Sequence, residues 1–162
     1  MQSPAQPASS TRTGDLSAKL LERFPTVKVD YTKPRRLKVT VPVELVKEVA
    51  LFTRDQLRFD HIETVSGTDY ASKGEFEVIY FVGSTNPDQE DLVIAIAERL
   101  KKENRNVPSL LHVWPGAEFH ERETWEMLGI VFQGHPDLRR ILLPEDWNDI
   151  PPLRKDYVSP GR

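Results

Sequence analysis

The chain has 162 residues, 38% of them hydrophobic and 29% charged, with a formal net charge of −3; that length suits one domain with a buried core. An acidic balance argues against nucleic acid as a partner, because phosphate recognition needs a concentrated basic surface. The absence of cysteine excludes a disulfide, a thiolate zinc site, an iron–sulfur cluster and a Cys nucleophile within this chain, and no apolar run approaches the roughly 20 residues that span a bilayer.

Residues 1–14 are rich in Ser, Pro, Ala, Thr and Gln and lack the apolar stretch of a secretory signal, so they read as a disordered tail. Asp15 then caps a short helix through Leu16, Leu20 and Leu21 that ends before Pro25. Residues 27–31 and 36–41 read as two strands with a turn at Lys33-Pro34. Pro42 opens a helix whose Val46, Val49, Ala50, Thr53 and Leu57 share one face. Residues 59–65 form the next strand, and Gly67 starts a polar turn. Gly74 turns the chain into a strand over 75–82, with apolar residues on both faces, which predicts an inner strand covered on both sides.

Pro87 to Lys102 carries the clearest helix signals: Asn86 as N-cap, Pro87 at the first position, acids in the first turn, lysines in the last, and a stripe of Leu92, Ile96 and Leu100. Ser109 to Trp114 reads as a short strand, and Glu118 to Leu128 as a helix stopped by Gly129. After Gly134 the proline density excludes helix interiors and central strands. The expected architecture is α+β: a core domain over 15–133, with a mixed sheet of about four strands packed by helices, then an extended Pro-rich arm over 134–162. Trp147, Ile150, Leu153 and Tyr157 give that arm anchors for this domain or for a partner.

The densest polar cluster is Glu121 to Glu126, followed by His135 to Leu142. It resists a catalytic reading. His120-Glu121 begins a zinc-protease motif, but Thr124 stands where its second histidine belongs. His120, Glu123 and Glu126 share a helical face, and His135 would join them in a metal-dependent hydrolase, yet no other helix offers a matching pair. The competing expectation is an Arg122–Glu126 pair one turn apart. His135 beside Asp137 lacks a placed nucleophile, and acids interleave with Arg139, Arg140, Arg154 and Lys155, which suits ion-paired protein contacts better than anion capture.

At these residues the chain resembles the C-type subunit of NADH-quinone oxidoreductase, the thirty-kilodalton-type subunit of respiratory complex I. That family pattern runs Glu-Arg-Glu, two residues, an acid, two apolar residues, six more, His, three residues, Arg, one residue and two aliphatics. Glu121, Arg122, Glu123, Glu126, Met127, Leu128, His135, Arg139, Ile141 and Leu142 meet it. Trp114-Pro115, Gly134 to Arg140 and Pro152 to Tyr157 fit as well. Glu126 stands where Asp is usual, and the chain is short for the family. Related subunits occur in F(420)H(2) dehydrogenases and membrane-bound hydrogenases, so the resemblance does not choose the electron donor.

The resemblance implies a peripheral-arm subunit with no catalytic residue and no cofactor of its own. Iron–sulfur clusters and flavin would belong to other subunits. It implies docking on the hydrogenase-like large subunit (D type), near the iron–sulfur small subunit (B type), on the cytoplasmic face of the membrane and touching it only indirectly. The complex would pass electrons to a quinone and move ions. The expected partner-binding residues are Glu121, Arg122, Glu123, Trp125, Glu126, His135, Asp137, Arg139, Arg140, Trp147, Arg154, Asp156 and Tyr157.

Overall fold

A computed structural model describes residues 9–159. Residues 1–8, the larger part of the expected tail, and 160–162, the end of the arm, lie outside the described residues. Helix α1 spans Ser9–Arg23, so the helix begins well before Asp15. Long-range contacts hold this early start. Arg12 donates to both carboxylate oxygens of Asp91 at 2.8 Å, and Thr13 Oγ1 donates to the Lys33 carbonyl at 2.9 Å. Composition cannot anticipate partners so far along the chain.

Strands β1 (Lys28–Lys33) and β2 (Arg36–Thr40) form the expected hairpin. A short 3-10 turn leads into α2 (Val46–Asp55), which buries Val46, Val49, Ala50 and Thr53 as its spacing predicts. β3 (His61–Tyr70) and β4 (Glu75–Gly83) form a second antiparallel hairpin, and Gly74 accepts the left-handed turn at φ 62°. β3 runs straight through Gly67 rather than turning there. A Cβ at Gly67 would overlap Leu128 and Thr124, so this glycine serves close approach between strand and helix.

The largest departure is β5 (Val93–Lys101), a strand where helix signals dominate the sequence. The signals act, but only locally. Asn86 Oδ1 accepts the Asp88 amide at 3.1 Å, and the Asn86 carbonyl accepts the Gln89 amide at 2.8 Å. One turn forms and then stops. The four-residue spacing of Leu92, Ile96 and Leu100 marks a helical stripe, but it also keeps all three on one face of a strand. Ile94 and Glu98 complete that face, and both are fully buried. Pairing on both edges, to β2 and to β4, overrides the local propensity.

The sheet therefore has five strands, in the order β1-β2-β5-β4-β3, with only the β2–β5 pair parallel. In-register neighbours Val39, Ile96, Tyr80 and Val65 point to one face, which is buried. α1 packs along β1 and β2 and α3 along β3. Each aliphatic buried there contributes about 1.5–3 kcal/mol. On the opposite face Ile79 and Phe81 stay half-buried, next to Ser66 and Thr64, so the inner position of β4 is as expected but full cover on both sides is not.

β6 (Asn106–Pro108) and β7 (Val131–Gln133) form a separate parallel pair. The strand thus ends where one was expected to begin. Over 110–114 the chain turns instead, with the Val113 and Trp114 amides both donating to the Leu110 carbonyl at 2.9 Å. The turn seats the buried Trp114, whose indole N–H donates to the Phe59 carbonyl at 3.0 Å. α3 (Ala117–Leu128) ends at Gly129 with φ 76°, as expected from the glycine stop. Residues 134–159 contain neither helix nor strand.

Candidate functional site

Three charged side chains of α3 are buried: Glu121, Arg122 and Glu126. A buried charge must be matched by polar partners, and each of these is. Glu121 Oε1 accepts the Tyr80 hydroxyl at 2.9 Å and the Leu110 amide at 2.8 Å, and Oε2 accepts the Ser109 hydroxyl at 2.6 Å. Burial raises the Glu121 pKa, and the Ser109, Leu110 and Tyr80 donors oppose that shift.

Arg122 and Glu126 do not form the expected pair. Arg122 donates to the carbonyls of Arg139 at 3.0 Å and Arg140 at 3.4 Å, with Asp137 4.0 Å away. Glu126 accepts three successive amides, from Ile141 at 3.2 Å, Leu142 at 3.0 Å and Leu143 at 2.7 Å. The cation and the anion thus clamp one loop by its opposite backbone groups. Arg122 also lies over the Phe119 ring at 5.6 Å.

His135 completes the clamp. Its Nδ1 accepts the Asp137 amide at 3.1 Å, and its Nε2 meets the Glu118 carbonyl at 3.1 Å. An amide can only donate and a carbonyl only accept, so the ring carries its proton on Nε2. Asp137 pairs with Arg139 at 2.9 Å. Arg139 and Glu123 point into solvent and do not join the clamp, while Trp125 packs on the core.

The remaining expected residues form a second cluster further along the arm. Arg154 holds Asp156 through two bonds of 2.9 and 2.7 Å, and the Trp147 and Tyr157 rings lie 5.9 Å apart. Arg140 donates to the Glu145 carbonyl at 2.8 Å. The arm returns to the domain where the Leu153 amide donates to the Met127 carbonyl at 3.0 Å and the Lys155 amide to Asp69 at 2.9 Å. Asp69 also pairs with Lys102 at 2.6 Å.

The residues of the metal-dependent alternative, His120, Glu123, Glu126 and His135, do not gather into one ligand cluster among the described residues. Glu126 and His135 are occupied by backbone groups, Glu123 is exposed, and no cluster of three or more metal-ligating residues occurs among the described residues. Sequence reasoning missed Tyr80, Ser109, Glu98, Asp69 and Lys102. Glu98 had a signal, since period-two reading of 92–100 places it among Ile94, Ile96 and Leu100. Tyr80 and Ser109 had none, because only the fold brings them to Glu121.

A family model described as respiratory-chain NADH dehydrogenase, 30 Kd subunit, matches residues 39–162 and so contains both clusters. The chain is 47% identical over 124 residues to the C-type subunit of NADH-quinone oxidoreductase from Roseiflexus sp. (strain RS-1), covering 74% of this chain and 68% of that relative. It is 36% identical over 124 residues to the C-type subunit of F(420)H(2) dehydrogenase from Methanosarcina mazei, covering 76% and 77% respectively. Among solved structures it resembles the trypsin-resistant fragment (1–134) of Nqo5, with a TM-score of 0.64 and 25% identity over 78% of this chain and 99% of the fragment. It shares its fold with a chain of the membrane-bound sulfane sulfur reductase, an archaeal respiratory membrane complex, with a TM-score of 0.75 and 20% identity over 91% of this chain and 86% of that one.

Proposed function

The chain belongs to the respiratory-chain NADH dehydrogenase, 30 Kd subunit family, and from that premise we propose that it is a non-catalytic support subunit in the peripheral arm of a complex-I-like oxidoreductase. In this reading it holds the hydrogenase-like D-type subunit in place beside the B-type iron–sulfur subunit on the cytoplasmic face of the membrane. Electrons from an NADH- or F(420)H(2)-type donor reach a quinone through those other chains, and the complex moves ions. Membership supports a place in such a multi-subunit assembly; the residues support the role within it.

The single observation that carries this reading is how the polar cluster is used. Glu121, Arg122, Glu126 and His135 are all engaged by partners from their own chain. Each is already engaged in holding its own chain in place, which favours a structural use of the cluster over chemistry on a substrate. They hold in place the loop that displays Leu142, 60% exposed, and the arm that follows it displays Leu153 at 59% and Val158 at 74%. Rigid apolar side chains presented on a pinned loop lose little conformational freedom on docking, which favours a permanent interface.

Co-expression with the D-type and B-type subunits of the same assembly tests this. Truncation after Pro144 should abolish co-purification with the larger subunit while the core stays folded by circular dichroism. Unchanged assembly of the truncated chain would sink the proposal.

A further inference from the structure

One buried acid has no part in the clamp. Glu98 lies on β5 facing the core, fully buried, and neither of its carboxyl oxygens has a hydrogen-bond partner among the described residues. Its in-register neighbour on β4 is Val78, and Ile96 and Leu100 flank it on its own strand face. No lysine or arginine pairs with it among the described residues; the charged group that acts on it is Glu121, from α3. A carboxylate without partners in an apolar interior costs far more than a carboxylic acid there.

The two acids differ sharply in what surrounds them. Glu121 is supplied with three donors, from Tyr80, Ser109 and Leu110, which favour its charged form. Glu98 has none. The titratable groups facing this pair are Tyr80 on β4 and His135 in the loop after β7. Tyr80 keeps its proton, because burial and the two acids push its pKa well up.

We propose that Glu98 and Glu121 form one buried proton site joining β5 to α3, with the proton held on Glu98 and the negative charge on Glu121. The site goes beyond the docking role and does not depend on it. Folding takes up this proton from solvent whenever the unfolded Glu98 would be ionised. Removing it leaves two carboxylates in the same interior, and their repulsion works against the packing of α3 on the sheet.

The sign follows from the raised folded pKa of Glu98, which burial and then Glu121 cause. The contribution of this group is fully present below the unfolded value of 4.5 and is lost as pH rises through the folded value. The Glu98 contribution therefore declines as pH rises above 4.5 towards the folded value.

The test uses the full chain as wild type, Glu98→Gln and Glu121→Gln. Infrared spectra near neutral pH should show the C=O stretch of a protonated carboxylic acid in the wild type, above the amide I band and shifted in D2O. Glu98→Gln should lack it. Urea unfolding from pH ~5 to ~9 should show a wild-type profile steeper than that of Glu98→Gln, by up to about tenfold in folding constant per pH unit. In Glu121→Gln the acid band should persist with a lower titration midpoint, since the repulsion is gone. A wild type without the band, or one whose pH profile parallels that of Glu98→Gln, overturns the proton site. An unshifted midpoint in Glu121→Gln overturns the pairing.

Discussion

Arg122 and Glu126 sit one turn apart on α3, carry opposite charge, and bind the backbone on either side of one peptide junction instead of each other. Arg122 takes the carbonyls of residues 139 and 140, and Glu126 takes the amides of residues 141 to 143. The peptide group joining residues 140 and 141 is held at both ends, its carbonyl by Arg122 and its amide by Glu126. The loop between the domain and the arm is thus gripped from both polarities by one helix.

Glu126→Ala should release that loop. Hydrogen bonds to a charged group contribute about 1.5–3 kcal/mol each, less what water restores to exposed amides, so the loss expected is about 2 kcal/mol. Hydrogen exchange should show the amides of Ile141, Leu142 and Leu143 losing protection while those of β4 keep theirs. Glu126→Gln keeps one carbonyl acceptor and should lose less. Equal protection in wild type and Glu126→Ala contradicts the clamp.

Gly67→Ala should destabilise the junction of β3 and α3, because the added methyl meets Leu128 and Thr124. Overpacking of this kind costs about 1–3 kcal/mol. Leu128→Ala, destabilising alone by cavity formation, should recover part of the loss when combined with Gly67→Ala. A double-mutant cycle by urea unfolding measures the coupling, and strict additivity would exclude the contact.

His135 should be fixed as the Nε2–H tautomer, since its Nδ1 accepts the Asp137 amide. Long-range nitrogen–proton NMR correlations distinguish the two ring nitrogens directly. His135→Asn can replace the Nδ1 acceptor but does not reach the Glu118 carbonyl in the same way, so it should preserve the turn at Asp137 and loosen its tie to α3. Observation of the other tautomer would exclude the arrangement.

Asp60 offers an independent check at the far end of the β3–β4 hairpin. The Thr85 hydroxyl and then its amide hold the Asp60 carboxylate down to about 2 from 3.8. A depressed value means that the stabilising effect is present above 3.8 and is lost as pH falls through about 2. Carbon NMR titration should return that low midpoint, and Thr85→Val, which removes the hydroxyl but not the amide, should move it part of the way back. A midpoint at the ordinary value in the wild type would refute these bonds.

The parts of the fold that were legible in the sequence are those with local causes. The α2 stripe, the Gly74 hairpin and the Gly129 helix stop each depend on residues within a few positions of one another. β5 was not legible, because its four-residue spacing satisfies helix and strand alike and the decision rests with β2 and β4. Gly67 shows the same limit at one residue: a glycine signals either a turn or a close approach, and only the position of Leu128 tells which. In the site, the density of charge around Glu121 was visible from the start. That Arg122 and Glu126 would turn to the loop backbone was not, since i,i+4 spacing predicts their mutual pair and the loop arrives only through the fold.

The place of β5 in the sheet bears on the order in which the molecule can be assembled. During synthesis the β1–β2 and β3–β4 hairpins emerge first, and no ladder joins them to each other. Until residues 93–101 leave the ribosome the nascent chain carries two ribbons with open inner edges, a state that invites strand pairing with the wrong neighbour. The last strand of the sheet to be made is the one that closes both edges, and the acid at its centre enters the interior in that same closing step.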